Sequence, residues 1–249
     1  MLEISIATYN IHKGFSQFNR RFVLHELRER LRELDADIVF LQEVQGAHSR
    51  DAHQGNGHAV HPQHEFLAHE IWPHHVYGKN AVYDAGHHGN AILSRYPIFN
   101  WDNQDISAHR FESRGVLHCE LALSQQGVAL HCLCVHLGLS KRGRNFQFGA
   151  LVERIRRVVP DAAPLILAGD FNDWNNHARN LLARELGLHE VFEAYGGKLA
   201  RSYPVSFPML RLDRIYVRGL SVKSAAVHAK SPWNRISDHA ALSALLSLP

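Results

Sequence analysis

Cysteine is scarce in this chain: Cys119, Cys132 and Cys134 are the only three among 249 residues. An odd count without framework spacing excludes a disulfide scaffold and predicts reduced thiols in a cytoplasmic setting. Cys132 and Cys134 alternate along an apolar run and read as small buried side chains. Long hydrophobic runs are missing as well. No stretch approaches the roughly 18 residues a membrane-spanning helix needs. The start, MLEISIATYN, has no basic region ahead of an apolar one, so no signal peptide is expected. A strong charge of one sign is also absent. The formal net charge is +3, from 27 Lys and Arg against 24 Asp and Glu. That admits an anionic substrate without the clustered basic face of many nucleic-acid domains. Few loops look aromatic or apolar, which argues against deep membrane insertion. No repeat, low-complexity tail or linker appears, so residues 1–249 read as one domain, expected as a monomer.

The apolar pattern is well supplied. Hydrophobic residues make up 45% of the chain, enough for a sizeable core. Residues 2–11 alternate Leu2, Ile4, Ile6 and Thr8 and predict a strand. Residues 20–34 place Val23, Leu27, Leu31 and Leu34 at helical spacing, and 36–44 form a continuous apolar strand. Together they read as a parallel βαβ unit. Residues 45–88 read as a long excursion with a short helix near 65–72. Strands are predicted at 90–98, 114–123, 128–137, 211–217 and 240–248, with a hairpin at SQQG (124–127). Helices are predicted at 144–159 and near 176–186, and LILAGD forms a further strand. The mixture suggests a layered α/β sandwich with mixed sheets.

Polar residues gather where these strands end. Asn10, Glu43, His136 and the pair Asp170 and Asn172 close strands; Asp213 lies in one, and Asp238 and His239 open the last. Sites form at strand ends, where loops diverge. Asn, Asp and Glu are hard oxygen ligands suited to Mg²⁺. His and Asn can donate to phosphoryl oxygens, and an Asp can deprotonate water. Each residue has a plainer reading taken alone, as surface, turn or helix cap. A calcium loop from Asp170 fails, because its sixth position is Asn175 and its twelfth Leu181. Asp173 reads as the cap of the following helix.

The ordered motifs TYNIHKG (8–14), LQEV (41–44), GNAILSRYPI (89–98), VHL (135–137), GDFN (169–172), LDRIYV (212–217) and SDH (237–239) carry a resemblance. They are similar to the endonuclease/exonuclease/phosphatase superfamily, which includes DNase I-like nucleases, abasic endonucleases and neutral sphingomyelinases. The resemblance implies an α/β fold: a four-layer α/β/β/α sandwich with two packed mixed β-sheets. It implies a Mg²⁺-dependent phosphodiester hydrolase, with Mn²⁺ as a possible substitute. By resemblance, Glu43 is the principal Mg²⁺ ligand, with Asn10 beside it and Asp238 joining the metal site. Asp170 orients or deprotonates the attacking water, and Asn172 binds phosphate. Asp213 fixes the tautomer of His239, and His136 contacts the phosphate or assists the leaving group. Some nuclease members carry an acid two positions after the first Asn; here that residue is His12.

Further phosphate contacts are expected from Arg114 and Arg144 first, then from Lys141, Arg142, Arg211 and Arg214. Ten of the twenty histidines lie between His48 and His88. Their spacings (His48 and His53; His58, His61 and His64) match no known zinc cage, so a solvated loop is the first reading, with a zinc site as the alternative. His88, at the mouth of a matched strand, is a candidate substrate contact. Nucleic acid is the leading substrate class. A phospholipid head group, as in a sphingomyelinase-like phosphodiesterase, and a small phosphoester remain open. The non-enzyme alternatives are a binding module that keeps the fold and a His-rich metal-binding module whose Zn²⁺ or Ni²⁺ binding survives Glu43→Ala.

Overall fold

The computed structural model describes residues 2–16, 21–48, 62–83, 86–123 and 129–248. Alternation builds the first strand. β1 (Glu3–Asn10) directs Ile4 and Ile6 to one side and Ala7 and Tyr9 to the other, all fully buried. A strand covered on both faces belongs at the centre of a sheet. α1 (Leu24–Leu34) buries Leu24, Leu27 and Leu31 and ends on Asp35 in the left-handed region. β2 (Ile38–His48) then returns parallel to β1, pairing Ile38 with Ile6 and Gln42 with Asn10.

The same construction appears a second time. α2 (Gln63–Ala68), β3 (His74–Tyr83), β4 (Gly86–Ser94), β5 (Ile98–Asp105) and β6 (Gly115–Ala122) lie between the two units. β7 (Ala129–His136), α3 (Lys141–Val158) and β8 (Leu165–Asp170) form the second parallel βαβ unit. The Ser140 side chain caps α3 by accepting from Gly143 N at 3.0 Å. The chain closes with α4 (His177–Leu186), β9 (His189–Glu190), α5 (Val191–Gly196), β10 (Asp213–Arg218), β11 (Ser221–His228) and β12 (Ala241–Ser247).

Among the described residues there are two six-stranded mixed sheets, β11-β12-β1-β2-β4-β3 and β5-β6-β7-β8-β10-β9. Their inner faces meet through Ile4, Ile6, Phe40, Leu117, Cys132, Ile166 and Ile215. α1 and α2 cover the first sheet through Leu27, Leu31 and Leu67, and α3 and α4 cover the second through Phe148, Leu151 and Leu182. The result is the expected four-layer sandwich. All three cysteines are free and buried. Burial pushes the Cys134 thiol up to about 12, which suits an inert core side chain.

Several expected elements change. Residues 74–83 and 86–88 are not a loop: β3 and β4 pair antiparallel there. The strand expected at 90–98 divides, because β4 ends at Ser94 and β5 begins at Ile98, across Pro97. β5 and β11 were not expected, since their mostly exposed side chains lack apolar alternation. The SQQG hairpin turn lies outside the described residues.

Gly169 shows how sequence serves the second sheet. Its φ is +143°, and a Cβ there would sit 2.0 Å from the Val135 carbonyl oxygen. β8 therefore approaches β7 closely one residue before Asp170. Gly169→Ala is expected to destabilise the protein by at least about 2 kcal/mol, seen as a Tm fall of several degrees. A Tm within a degree of wild type would contradict this packing.

Candidate active site

Topology explains why distant residues meet. β1 runs parallel to β2 and β7 to β8, so Asn10, Glu43, His136 and Asp170 reach the same edge of the sandwich. β10 is antiparallel to β8 and sets Asp213 opposite Asp170; His136 pairs with Asp170 from the other side. β12 is antiparallel to β1, so the preceding Asp238 and His239 enter at this edge too.

A backbone irregularity aims Glu43. Between the pairs Leu41–Ala91 and Val44–Gly89, β2 carries one extra residue, and Glu43 takes φ +57°. Bulges re-aim side chains, and a left-handed Glu is held only by its surroundings. Opposite the bulge, buried Asn90 donates to the carbonyls of Gly115 (3.2 Å) and Cys134 (3.3 Å) in the second sheet.

Asn10 is the hub. Its Nδ2 donates to Glu43 Oε1 at 3.3 Å and to Asp170 Oδ2 at 3.1 Å, while its Oδ1 accepts the His12 N–H at 3.1 Å. Asp170 is buried; its Oδ1 accepts the Asn172 N–H at 3.0 Å. Its Oδ2 lies 3.5 Å from His136 Nε2 and 3.8 Å from His239 Nε2. His239 Nδ1 is 2.8 Å from Asp213 Oδ2. Asp238, partly exposed, lies 3.8 Å from His12 Nδ1.

Electrostatics sorts these groups. Burial raises the Asp170 pKa, and Asp213 adds to the rise against the opposing pull of His239 and His136. Burial also opposes ionisation of Glu43, but His136, Lys13 and the Asn10 hydrogen bond outweigh it and hold the carboxyl below its ordinary value. Burial pushes His136 down, so it is neutral at pH 7. Burial pushes His239 down as well, yet Asp213 and Asp170 prevail and lift it to about 10. The site thus holds an imidazolium, a neutral imidazole and two carboxyls shifted in opposite directions, the separation expected of acid–base machinery.

The other candidates divide. Asn172, at φ +48°, donates from Nδ2 to Leu137 O at 2.9 Å, beside Asp170. Arg114 is half-buried; its Nη1 donates to its neighbour Ser113 O, and its buried Nε has no partner. His88 is half-buried, and Tyr83 Oη lies 2.9 Å from its Nδ1. Arg144 is buried, donates to Gly138 O at 3.2 Å and to Leu139 O, and lies 4.3 Å from the Trp174 ring centroid. Arg214 faces the outer layer and donates to Asn176 Oδ1 at 2.7 Å, so it does not reach the cleft. Asp173 Oδ2 accepts the Ala178 N–H at 2.8 Å and caps α4, as its sequence position implied.

Sequence reasoning missed several positioning groups. Ser237 Oγ donates to Asn10 O at 2.7 Å and accepts the His239 N–H at 3.2 Å, tying the SDH turn to β1. The SDH motif contained this signal. The Tyr203 ring centroid is 4.9 Å from that of His239. The expectation of few apolar loops also fails: Phe111, Leu139 and Phe207 are exposed. Of the His-rich stretch, His53, His58 and His61 lie outside the described residues. His64, at ring distances of 5.5 Å from His75 and 4.7 Å from Tyr77, packs as an aromatic cluster.

Among the described residues, two groups bring three metal-capable side chains together: Asp170, Asp213 and His239, and on the outer face His118, Glu120 and His131. The first is an ion-paired triad around an imidazolium. In the second, Arg154 Nη2 lies 3.5 Å from His118 Nδ1, and His118 Nε2 lies 3.0 Å from His131 Nδ1. A guanidinium only donates, so Nε2 carries the hydrogen and the pair is internally satisfied.

Known proteins resemble this chain along nearly its whole length. The family model described as Endonuclease/Exonuclease/phosphatase family matches residues 7–239. The uncharacterized protein YbhP of Escherichia coli (strain K12) is 47% identical over 253 residues, covering 98% of this chain and 96% of its own. The mannosyl-6-phosphatase Bt3783 of Bacteroides thetaiotaomicron VPI-5482 shares the fold with a TM-score of 0.75 at 18% identity, covering 98% of this chain and 100% of its own. A humanized D. rerio TDP2 shares it at 0.72 and 19%, covering 98% and 99%.

Folding raises the His239 pKa from 6.5 to about 10. Its stabilising contribution is therefore complete below pH 6.5 and is lost as pH climbs through about 10. Asp213→Asn removes the main upward influence. In metal-free protein, NMR of the His239 Cε1–H is expected to show no titration between about pH 6 and 8 in wild type, and a midpoint lowered by more than a unit in the variant. An unshifted midpoint would contradict the pairing.

Proposed function

The chain belongs to the endonuclease/exonuclease/phosphatase family, and from that premise we propose that it is a Mg²⁺-dependent phosphodiester hydrolase whose single catalytic domain spans residues 1–249. One observation carries the reading: Asn10 of the first sheet bonds both Glu43 and, across the sandwich, Asp170 of the second. A structural turn needs no such bridge between carboxylates.

The donor set fits Mg²⁺. Glu43 is half-buried and held ionised, Asp238 offers a second oxygen ligand, and Asn10 lies alongside. Few protein oxygens at an open edge suit an ion that keeps several waters; Mn²⁺ takes the same donors. Mg²⁺ bound there supplies positive charge at the phosphoryl oxygens.

The chain's own residues do the rest. Asp170 Oδ2 accepts a proton from the attacking water as its oxygen bonds to phosphorus. Its raised pKa suits a base, and its bonds to Asn10 and the Asn172 N–H fix its direction. The P–O bond to the leaving group breaks in line, and the leaving oxygen keeps the bonding pair. Neutral His136 offers that oxygen an N–H hydrogen bond, and the oxygen takes its proton from water. The His239 imidazolium, oriented by Asp213, faces the negative charge that builds on the phosphoryl group. Asn172 and Arg114 complete the phosphate contacts; Arg144 supports the site by holding the 138–139 turn.

Nucleic acid is the leading substrate class in this reading, and the protein acts in the cytoplasm as a monomer. No helix among the described residues is long and apolar enough to cross a membrane.

Hydrolysis of plasmid DNA, sphingomyelin and bis-(p-nitrophenyl) phosphate is measured side by side with Mg²⁺ and after chelation. Chelation is expected to abolish turnover, and Glu43→Gln and Asp170→Asn each to lower kcat by about 10²–10⁴-fold. Folding raises the Asp170 pKa, so its ionised form costs stability above that pKa; Asp170→Asn is expected to keep Tm at pH 8 at or above wild type. No turnover on any substrate, or turnover that survives both substitutions, would overturn the proposal.

A further inference from the structure

The fold buries most of its large apolar side chains, yet it leaves several exposed beside the catalytic edge. Phe111 is 83% exposed, Leu139 65% and Tyr83 56%. These three converge on one cavity of about 410 Å³, which His88 and Arg114 also line. Topology puts the cavity against the reactive centre. Tyr83 ends β3 beside the start of β4, Phe111 lies in the loop before β6, and Leu139 follows the strand that delivers His136. The charges of Glu43 and Arg114 both act on His88, and Arg114 acts on His136. Arg114 therefore lines the cavity and lies within electrostatic reach of His136, with a buried Nε that no protein group satisfies.

The walls have a definite chemistry. The Tyr83 and His88 rings stack with centroids 5.3 Å apart and planes 26° apart. Tyr83 Oη lies 2.9 Å from His88 Nδ1, a contact that ties the two stacked rings together. The Arg110 guanidinium lies 4.6 Å from the Phe111 ring centroid, a cation–π contact with that ring. A hydrocarbon chain is best matched by aliphatic walls; here rings outnumber aliphatic side chains. Flat aromatic surfaces favour a flat aromatic guest, as in sequence-tolerant stacking of single-stranded bases.

We propose that Tyr83, His88 and Phe111 form a stacking subsite for a planar aromatic group, of the nucleobase type, carried by the phosphodiester next to the phosphate held by Arg114. This rests on the hydrolase reading above and names the substrate class of that site. It gives His88, expected as a substrate contact, a definite part: burial and the neighbouring cations Lys13 and Arg114 keep its imidazole neutral, so it stacks without repelling Arg114.

The test uses p-nitrophenyl phosphodiesters that share a leaving group and differ in the other ester: methyl, hexyl, phenyl or thymidine 5′-yl. For wild type, kcat/KM for the phenyl and thymidyl esters is expected to exceed that for the methyl ester by at least about fivefold, mainly through KM. The hexyl ester is expected to fall below the phenyl ester. Phe111→Ala, an exposed position that the fold does not need, is expected to bring the phenyl-to-methyl ratio close to one. Phe99→Ala, another exposed ring, on β5, is expected to keep the wild-type ratio. A flat series, a hexyl ester that matches or beats the phenyl ester, or a ratio that survives Phe111→Ala would overturn the subsite. If no ester turns over, the hydrolase reading fails, and binding of thymidine 5′-monophosphate still decides the subsite. At least fivefold weaker binding by Phe111→Ala supports it, and equal affinity overturns it.

Discussion

The site depends on one side-chain amide. Asn10 donates from Nδ2 to a carboxylate of its own sheet and to a carboxylate of the facing sheet. Two acids brought to one edge repel unless a donor stands between them or one takes up a proton. Asn10 supplies that donor, and its own oxygen is turned away by the His12 N–H. Ser237 then holds the Asn10 carbonyl and fixes the turn that carries Asp238 and His239. The arrangement passes from the end of β1 to Glu43, Asp170 and the SDH turn through single hydrogen bonds.

The sandwich is built to present those bonds. Each sheet has a parallel pair joined by a helix, so the carboxyl ends of β1 and β7 lie at one edge with their partners. Polar side chains that penetrate the apolar space between the sheets add to the tie. Gln42 Nε2 reaches Cys134 Sγ at 3.2 Å, and Asn90 crosses to the second sheet beneath the Glu43 bulge. Buried polar groups are costly unless bonded, so these contacts specify one relative placement of the sheets. The charges follow from that placement: Asp213 and Asp170 keep an imidazolium in a buried position.

Much of this was legible in the sequence, for a physical reason. Central strands are buried on both faces and advertise themselves as apolar runs, and β1, β2, β7, β8 and β12 were all readable. The edge strands among the described residues are β11, β3, β5 and β9, and none was readable. An edge strand packs on one side and pairs on one side, so its apolar alternation is weak; in β5 and β11 most side chains face solvent. The polar strand ends were visible as residues, but their convergence was not. Nothing local to LQEV foretells a left-handed Glu43, because the bulge exists only against β4. Arg144 was expected to contact phosphate ahead of Arg214, because it lies nearer to a predicted strand end. Packing turned the first onto the 138–139 turn and the second outward. Apolar side chains left exposed at loop tips carry no sequence signal that separates them from buried ones.

Asn10 makes a specific demand on the chemistry. If it binds Glu43 and Asp170 into one unit, the two carboxylates cannot act independently, although they belong to different sheets. The most direct test is a double-mutant cycle in kcat on bis-(p-nitrophenyl) phosphate with Glu43→Gln, Asp170→Asn and the combined variant. The account predicts that the combined variant loses no more than about tenfold beyond the worse single variant. Losses that multiply in full would show two independent sites of action and would contradict it.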